Sequence, residues 1–81
     1  LPLWQKYVVA EKVKIAHENE EFPPLLADAL DLIFAAGGDL VPVADTLKIT
    51  ATQLAKFLRL EPEAWILVSN LRERNGLRKL K

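Results

Sequence analysis

The stretch Leu26-Ala-Asp-Ala-Leu-Asp-Leu-Ile33, Ala35-Ala36-Gly37-Gly38-Asp39, Leu40-Val-Pro-Val-Ala44-Asp-Thr-Leu47, Lys48-Ile49-Thr50 and Ala51-Thr-Gln-Leu54-Ala-Lys-Phe57-Leu58-Arg59 decides the fold. Leu26, Ala29, Leu30 and Ile33 recur at i, i+3, i+4 and i+7, one face of a helix. Gly37-Gly38 ends that helix, because glycine takes up the left-handed backbone of a C-cap without a Cβ penalty. Asp39 is placed to cap a second, short helix in which Leu40, Val43, Ala44 and Leu47 repeat the spacing. Pro42 falls in its first turn, where a missing amide leaves no intrahelical bond unmade. Lys48-Ile49-Thr50 is a tight turn, and Thr50 caps a third helix that buries Leu54, Phe57 and Leu58. The three together read as a helix-turn-helix.

Outward from this unit, Pro23-Pro24 starts the first helix at about Pro24. Glu61-Pro62 opens a further helix with Ala64, Leu67, Val68 and Leu71 inward and Trp65 in the core, and Asn75-Gly76 closes it, with Leu77 folding back over the cap. The tail Arg78-Lys79-Leu80-Lys81 reads as frayed. Before Pro23, Trp4, Tyr7, Val8 and Glu11 follow a helical rhythm, while Val13, Ile15 and the lysines between them alternate like a strand. The expectation is a helix over about Leu3 to Val13, then extended chain, then a solvated acidic linker, Glu18-Asn19-Glu20-Glu21. The fold class expected is an all-α small helical bundle of about five helices containing a helix-turn-helix, with residues 1–22 as N-terminal helix and linker and 23–81 as the bundle with a basic tail.

Eighty-one residues with 51% apolar side chains can bury one core. The absence of cysteine removes disulfides, thiolate catalysis and cysteine-bound zinc, and fits a reducing, cytoplasmic setting. No apolar run approaches the roughly 18 residues of a membrane span. The chain starts at Leu1 and contains no methionine, the mark of a segment of something longer or of a processed chain. Net charge is zero, yet residues 1–46 carry three lysines against eight carboxylates, and residues 47–81 carry eight cations against three. A chain polarised in this way can meet a phosphate backbone with one face and remain in solution.

The third helix carries the candidate site. At about 100° per residue, Thr52, Gln53, Lys56 and Arg59 make up the outer face, opposite Leu54, Phe57 and Leu58. Amide, hydroxyl and cations are the groups that pair with base edges and phosphate oxygens. Arg72, Arg74, Arg78 and Lys79 could add phosphate contacts. The competing reading is a solvated face on a plain helical scaffold, which this architecture also serves. Trp4 and Tyr7 could stack on bases, but aromatics at helical spacing more often fill a core. His17 is the sole histidine and has no ligand set around it in sequence, and the acidic cluster lacks the spaced oxygens and glycine of a calcium loop. No phosphate loop, nucleophile elbow or triad is present, so no cofactor, metal or catalytic residue is expected.

Two resemblances follow from these residues. The run Ala29 to Leu58, through Gly38-Asp39, Ala44, Leu47, Ile49, Leu54 and Leu58, resembles the Fis-type DNA-binding helix-turn-helix. It covers about a third of the chain and implies a recognition helix from Ala51 in a major groove, in a dimer or larger protein. Fis-type recognition helices are richer in arginine and lysine near Ala51, Thr52 and Ala55, where this chain is small and neutral. More broadly, Glu18 to Asp31, Thr52 to Leu58, Glu61-Pro-Glu-Ala-Trp65 and Leu71 to Leu80 are similar to the helical tail of bacterial release-factor-like proteins. Those proteins carry a Gly-Gly-Gln peptidyl-tRNA hydrolase domain and act in ribosome rescue. No Gly-Gly-Gln occurs here, so that likeness places any catalytic part outside this segment. The partners expected are ribosomal RNA or duplex DNA, with a neighbouring domain or a second copy possible and no membrane.

Overall fold

Pro23 and Pro24 occupy the first turn of a helix whose amides would have no intrahelical partner, so the helix begins one residue earlier than they do. In the computed structural model, which describes residues 1–81, α2 runs Phe22–Ala35. Its buried stripe is Phe22, Leu25, Ala29 and Ile33, while Leu26 and Leu30 are half-buried. The inward face is thus turned toward Leu25 relative to the expected Leu26/Leu30 stripe. The reason is Phe22, which joins the helix and the core, and Trp4, which covers that side and donates from Nε1 to the Leu25 carbonyl at 3.1 Å.

Helix α2 ends at a left-handed cap. Gly37 has φ +65°, its amide donates to Phe34 at 3.1 Å, and Gly38 donates to Ile33 at 2.9 Å. Asp39 then caps α3 (Leu40–Leu47), its carboxylate accepting from the Val41 amide at 3.2 Å. The same cap geometry closes α3 without glycine: Lys48 sits at φ +65°, and the Ile49 amide reaches Ala44 at 3.0 Å. Thr50 starts α4 (Ala51–Arg59) by accepting from Gln53 at 3.1 Å. A three-residue turn therefore separates two distinct helices, and α3 and α4 pack on each other as a helix-turn-helix requires. The last helix, α5 (Pro62–Arg74), lies against both α2 and α4.

The N-terminal segment corrects the expected helix over Leu3 to Val13. Only one turn forms, α1 (Pro2–Gln5), followed by an antiparallel ribbon of β1 (Val8–Val9) and β2 (Lys12–Val13). Two adjacent β-branched valines favour extended chain, and burial of Trp4 fixes where the helical turn stops. Ala10 and Glu11, at φ +52° and +64°, make the turn with the twist that two-residue hairpins need. The whole is a small, mostly α bundle of five helices with one two-stranded sheet. No helix is long and apolar enough to cross a membrane.

A single core of fifteen buried apolar residues runs through all of this, and the expected boundary at 22/23 does not divide it. Trp4 and Phe57 meet edge-on with centroids 5.0 Å apart, and Phe22 lies 5.3 Å from Phe57. Trp65, expected in the core, is half-buried instead. The acidic stretch is not merely a linker. Glu21 accepts from Lys6 Nζ at 2.7 Å and from the Tyr7 hydroxyl, tying the start of α2 to the end of α1. The Lys6 and then the Tyr7 hydrogen bond hold the Glu21 carboxyl below its ordinary range. In return, the bond to Glu21 raises both Lys6 and Tyr7. The tail also departs from expectation. The Leu77 amide caps α5 by donating to Arg72 at 2.8 Å, but the Leu77 side chain stays exposed and Leu80 is the residue that packs on the core.

Candidate nucleic-acid interface

Helix α4 is amphipathic because its apolar residues fall at Leu54, Phe57 and Leu58, all buried, and everything opposite them is small or polar. Thr52, Lys56 and Arg59 are exposed on the outer sector. No carboxylate occurs anywhere on the helix. Its two flanks differ. Ala51 and Ala55 are half-buried against the core on one side. On the other, β2 packs alongside, and a groove of about 260 Å³ is lined by Val13, Lys14, Ile15, Gln53, Lys56 and Phe57 with Leu60. Gln53 is half-buried there, so its amide is at the edge of the presented face.

The ribbon is pinned to this helix. The Thr50 amide donates to the Glu11 carbonyl at 3.2 Å, which sets the hairpin tip against the start of α4. Lys12 and Lys14 of the ribbon are exposed and have no carboxylate partner. Sequence reasoning left these two lysines out of the site. The signal was present in the alternation Lys12-Val13-Lys14-Ile15, which puts the apolar pair on one side of a strand and the cations on the other.

The remaining cations are employed differently. Arg59 lies with its guanidinium 4.9 Å from the centroid of Trp65 and donates to the carbonyl of Lys81, so the end of the tail lies beside the last turn of α4. Arg72 is half-buried and spends its donors on backbone: Nη1 to Gly38 and Nε to Arg78, each at 2.7 Å. It holds the turn between α2 and α3 and the returning tail, and Asn75 joins it with a 2.8 Å bond to the Gly37 carbonyl. Arg74 and Arg78 are exposed without an ion pair, whereas Lys79 lies 3.6 Å from Glu73. Thr52, Gln53, Lys56 and Arg59 thus share one helix, while Arg74, Arg78 and Lys79 belong to the last turn of α5 and the tail beyond it. Lys56, Arg59, Arg72 and Arg74 also stand in the last turns of their helices, where cations complement the helix dipole.

His17 is exposed, its Nε2 lying 3.2 Å from a Glu61 carboxylate oxygen and its ring against Phe22. It links the loop before α2 to the start of α5. No protein-family model, no curated protein and no solved structure matches the chain.

Proposed function

We propose that this chain is a non-catalytic nucleic-acid-binding helix-turn-helix module, an accessory domain of a larger translation protein of release-factor-like, ribosome-rescue type or of a transcription protein. One observation carries the reading: α4 presents Thr52, Lys56 and Arg59 to solvent on a sector with no carboxylate, held rigid by caps at both ends of the turn before it. Lys56 and Arg59 serve phosphate oxygens, and Thr52 and Gln53 offer the neutral donors and acceptors that meet base edges. Arg74, Arg78 and Lys79 add phosphate contacts, and Arg72 acts by positioning, since its donors are committed to Gly38 and Arg78. The partner is ribosomal RNA or duplex DNA, in a cytoplasmic setting.

A second reading, a protein-interaction domain, is favoured by the outer face of α5. Ile66 and Leu67 are 58% and 44% exposed beside the half-buried Trp65. Titration of labelled duplex DNA and of structured RNA at several salt concentrations separates the two. Nucleic-acid binding weakens with salt by a log–log slope of about −0.9 for each phosphate neutralised on B-form DNA. K56A/R59A reduces that slope while the far-ultraviolet spectrum is unchanged. Absence of binding to every nucleic acid at low salt removes the proposal and leaves the α5 face as the functional surface.

A further inference from the structure

We infer that the β1–β2 ribbon is a second contact element, with Lys12 and Lys14 laid on the sugar–phosphate backbone of a B-form DNA duplex whose major groove receives α4. The inference rests on the nucleic-acid reading of α4 given above.

The argument is one of dimensions. An α-helix with its side chains is about 10–12 Å across, and the major groove of B-form DNA is about 12 Å wide. The groove therefore has room for α4 and for nothing beside it. Any element packed on the flank of α4 must come down on the strand that borders the groove. The ribbon is such an element: β2 packs against α4 along the side that carries Gln53 and Lys56. Val13 of β2 and Ile15 just beyond it are half-buried and pack on the core, while Lys12 and Lys14, alternating with them, are exposed. Neither lysine is neutralised by a carboxylate of the protein. The only carboxylate on the ribbon belongs to Glu11, in the turn, and that residue's carbonyl is what fastens the ribbon to Thr50. Lys14 and Lys56 line the same groove, and Lys12 is carried two residues before Lys14, on β2.

The same geometry selects DNA over RNA. The major groove of an A-form helix is deep and too narrow for side chains to read, so α4 cannot enter it and the ribbon has no bordering strand to reach. The contacts made by Lys12 and Lys14 are with phosphates and carry no base information, so their loss acts equally on all sequences.

The test compares the whole chain with its K12Q/K14Q and K56Q/R59Q variants on a labelled DNA duplex and an RNA duplex of the same length, over a salt series. The substituted lysines are exposed and unpaired, and thermal melting checks that each variant stays folded. For K12Q/K14Q on DNA, the expected result is a log–log salt slope shallower by about 1.8, two phosphates' worth, with the same loss on unrelated sequences. DNA binding that depends on Lys56 and Arg59 but is indifferent to Lys12 and Lys14 overturns this inference and leaves the module reading intact. Binding confined to RNA does the same. Binding to neither duplex overturns both.

Discussion

Arg72 Nη1 donates to the carbonyl of Gly38 at 2.7 Å, so the last helix of the bundle holds the turn that leads into the helix-turn-helix. The contact is close enough to dictate the residue at 38. A Cβ there would come within 2.8 Å of Arg72 Cγ and 3.3 Å of its Cα, at a backbone φ of +93°. Gly38→Ala is expected to cost at least about 1–3 kcal/mol from backbone strain, read from urea unfolding. Arg72→Ala leaves the part-buried Gly38 carbonyl unpaired and is expected to cost about 1–3 kcal/mol. Because the second change also removes the closest of these contacts, with Cγ, G38A/R72A should lose less than the sum of the two. Strict additivity would show that the two residues are uncoupled.

Trp4 is the single largest buried side chain and the only fully buried residue of α1. Trp4→Ala is expected to destabilise by about 3–5 kcal/mol in equilibrium unfolding. That loss would spread to α4 through Phe57, whose ring Trp4 meets edge-on. A variant that melts like the parent would mean that the N-terminal turn is detached in solution.

The ribbon turn is built from residues poorly suited to it. Ala10 and Glu11 both have positive φ, where the side chain crowds the backbone. A10N/E11G introduces the pair that such turns prefer. It is expected to raise stability by about 0.5–1 kcal/mol, the relief of left-handed strain less the added flexibility of glycine. Differential scanning calorimetry measures it, and a lowered melting temperature would contradict the turn assigned to Ala10–Glu11.

Stability should fall off at both ends of the pH scale through Glu21. Its carboxyl is held below its ordinary value by Lys6 and then Tyr7. That contribution is fully present above about pH 4.3, the unperturbed glutamate value, and is lost as pH falls through the lowered native value. Lys6 and Tyr7 are raised by Glu21, so their contribution is present below about pH 10 and is lost as pH rises through their native values. Glu21→Gln should flatten both limbs in a series of urea melts, and unchanged limbs would place the pH dependence elsewhere.

The helix-turn-helix was legible because its signals are local. Asp39 and Thr50 announce caps, Gly37-Gly38 announces a stop, and the apolar spacing in α3 and α4 survives packing unchanged. The ribbon was not, because a helical rhythm from Trp4 to Glu11 and a strand rhythm from Val13 to Ile15 compete within a few residues. What decides between them is tertiary: the burial of Trp4 against Leu25 and Phe57, and the bond from Thr50 to Glu11. The outer residues of α4 could be placed by geometry alone. Arg72 could not, since nothing in its neighbourhood of sequence says that its donors will meet Gly38, 34 residues away.

The bond between Thr50 and Glu11 has a dynamic consequence. A hairpin with two residues in each strand has no standing of its own in water, so the order of β1 and β2 is borrowed from α4. Protection of the Lys14 amide, bonded to Tyr7, against hydrogen exchange should therefore rise and fall with protection of the α4 amides. Loosening α4 would release the ribbon in the same event.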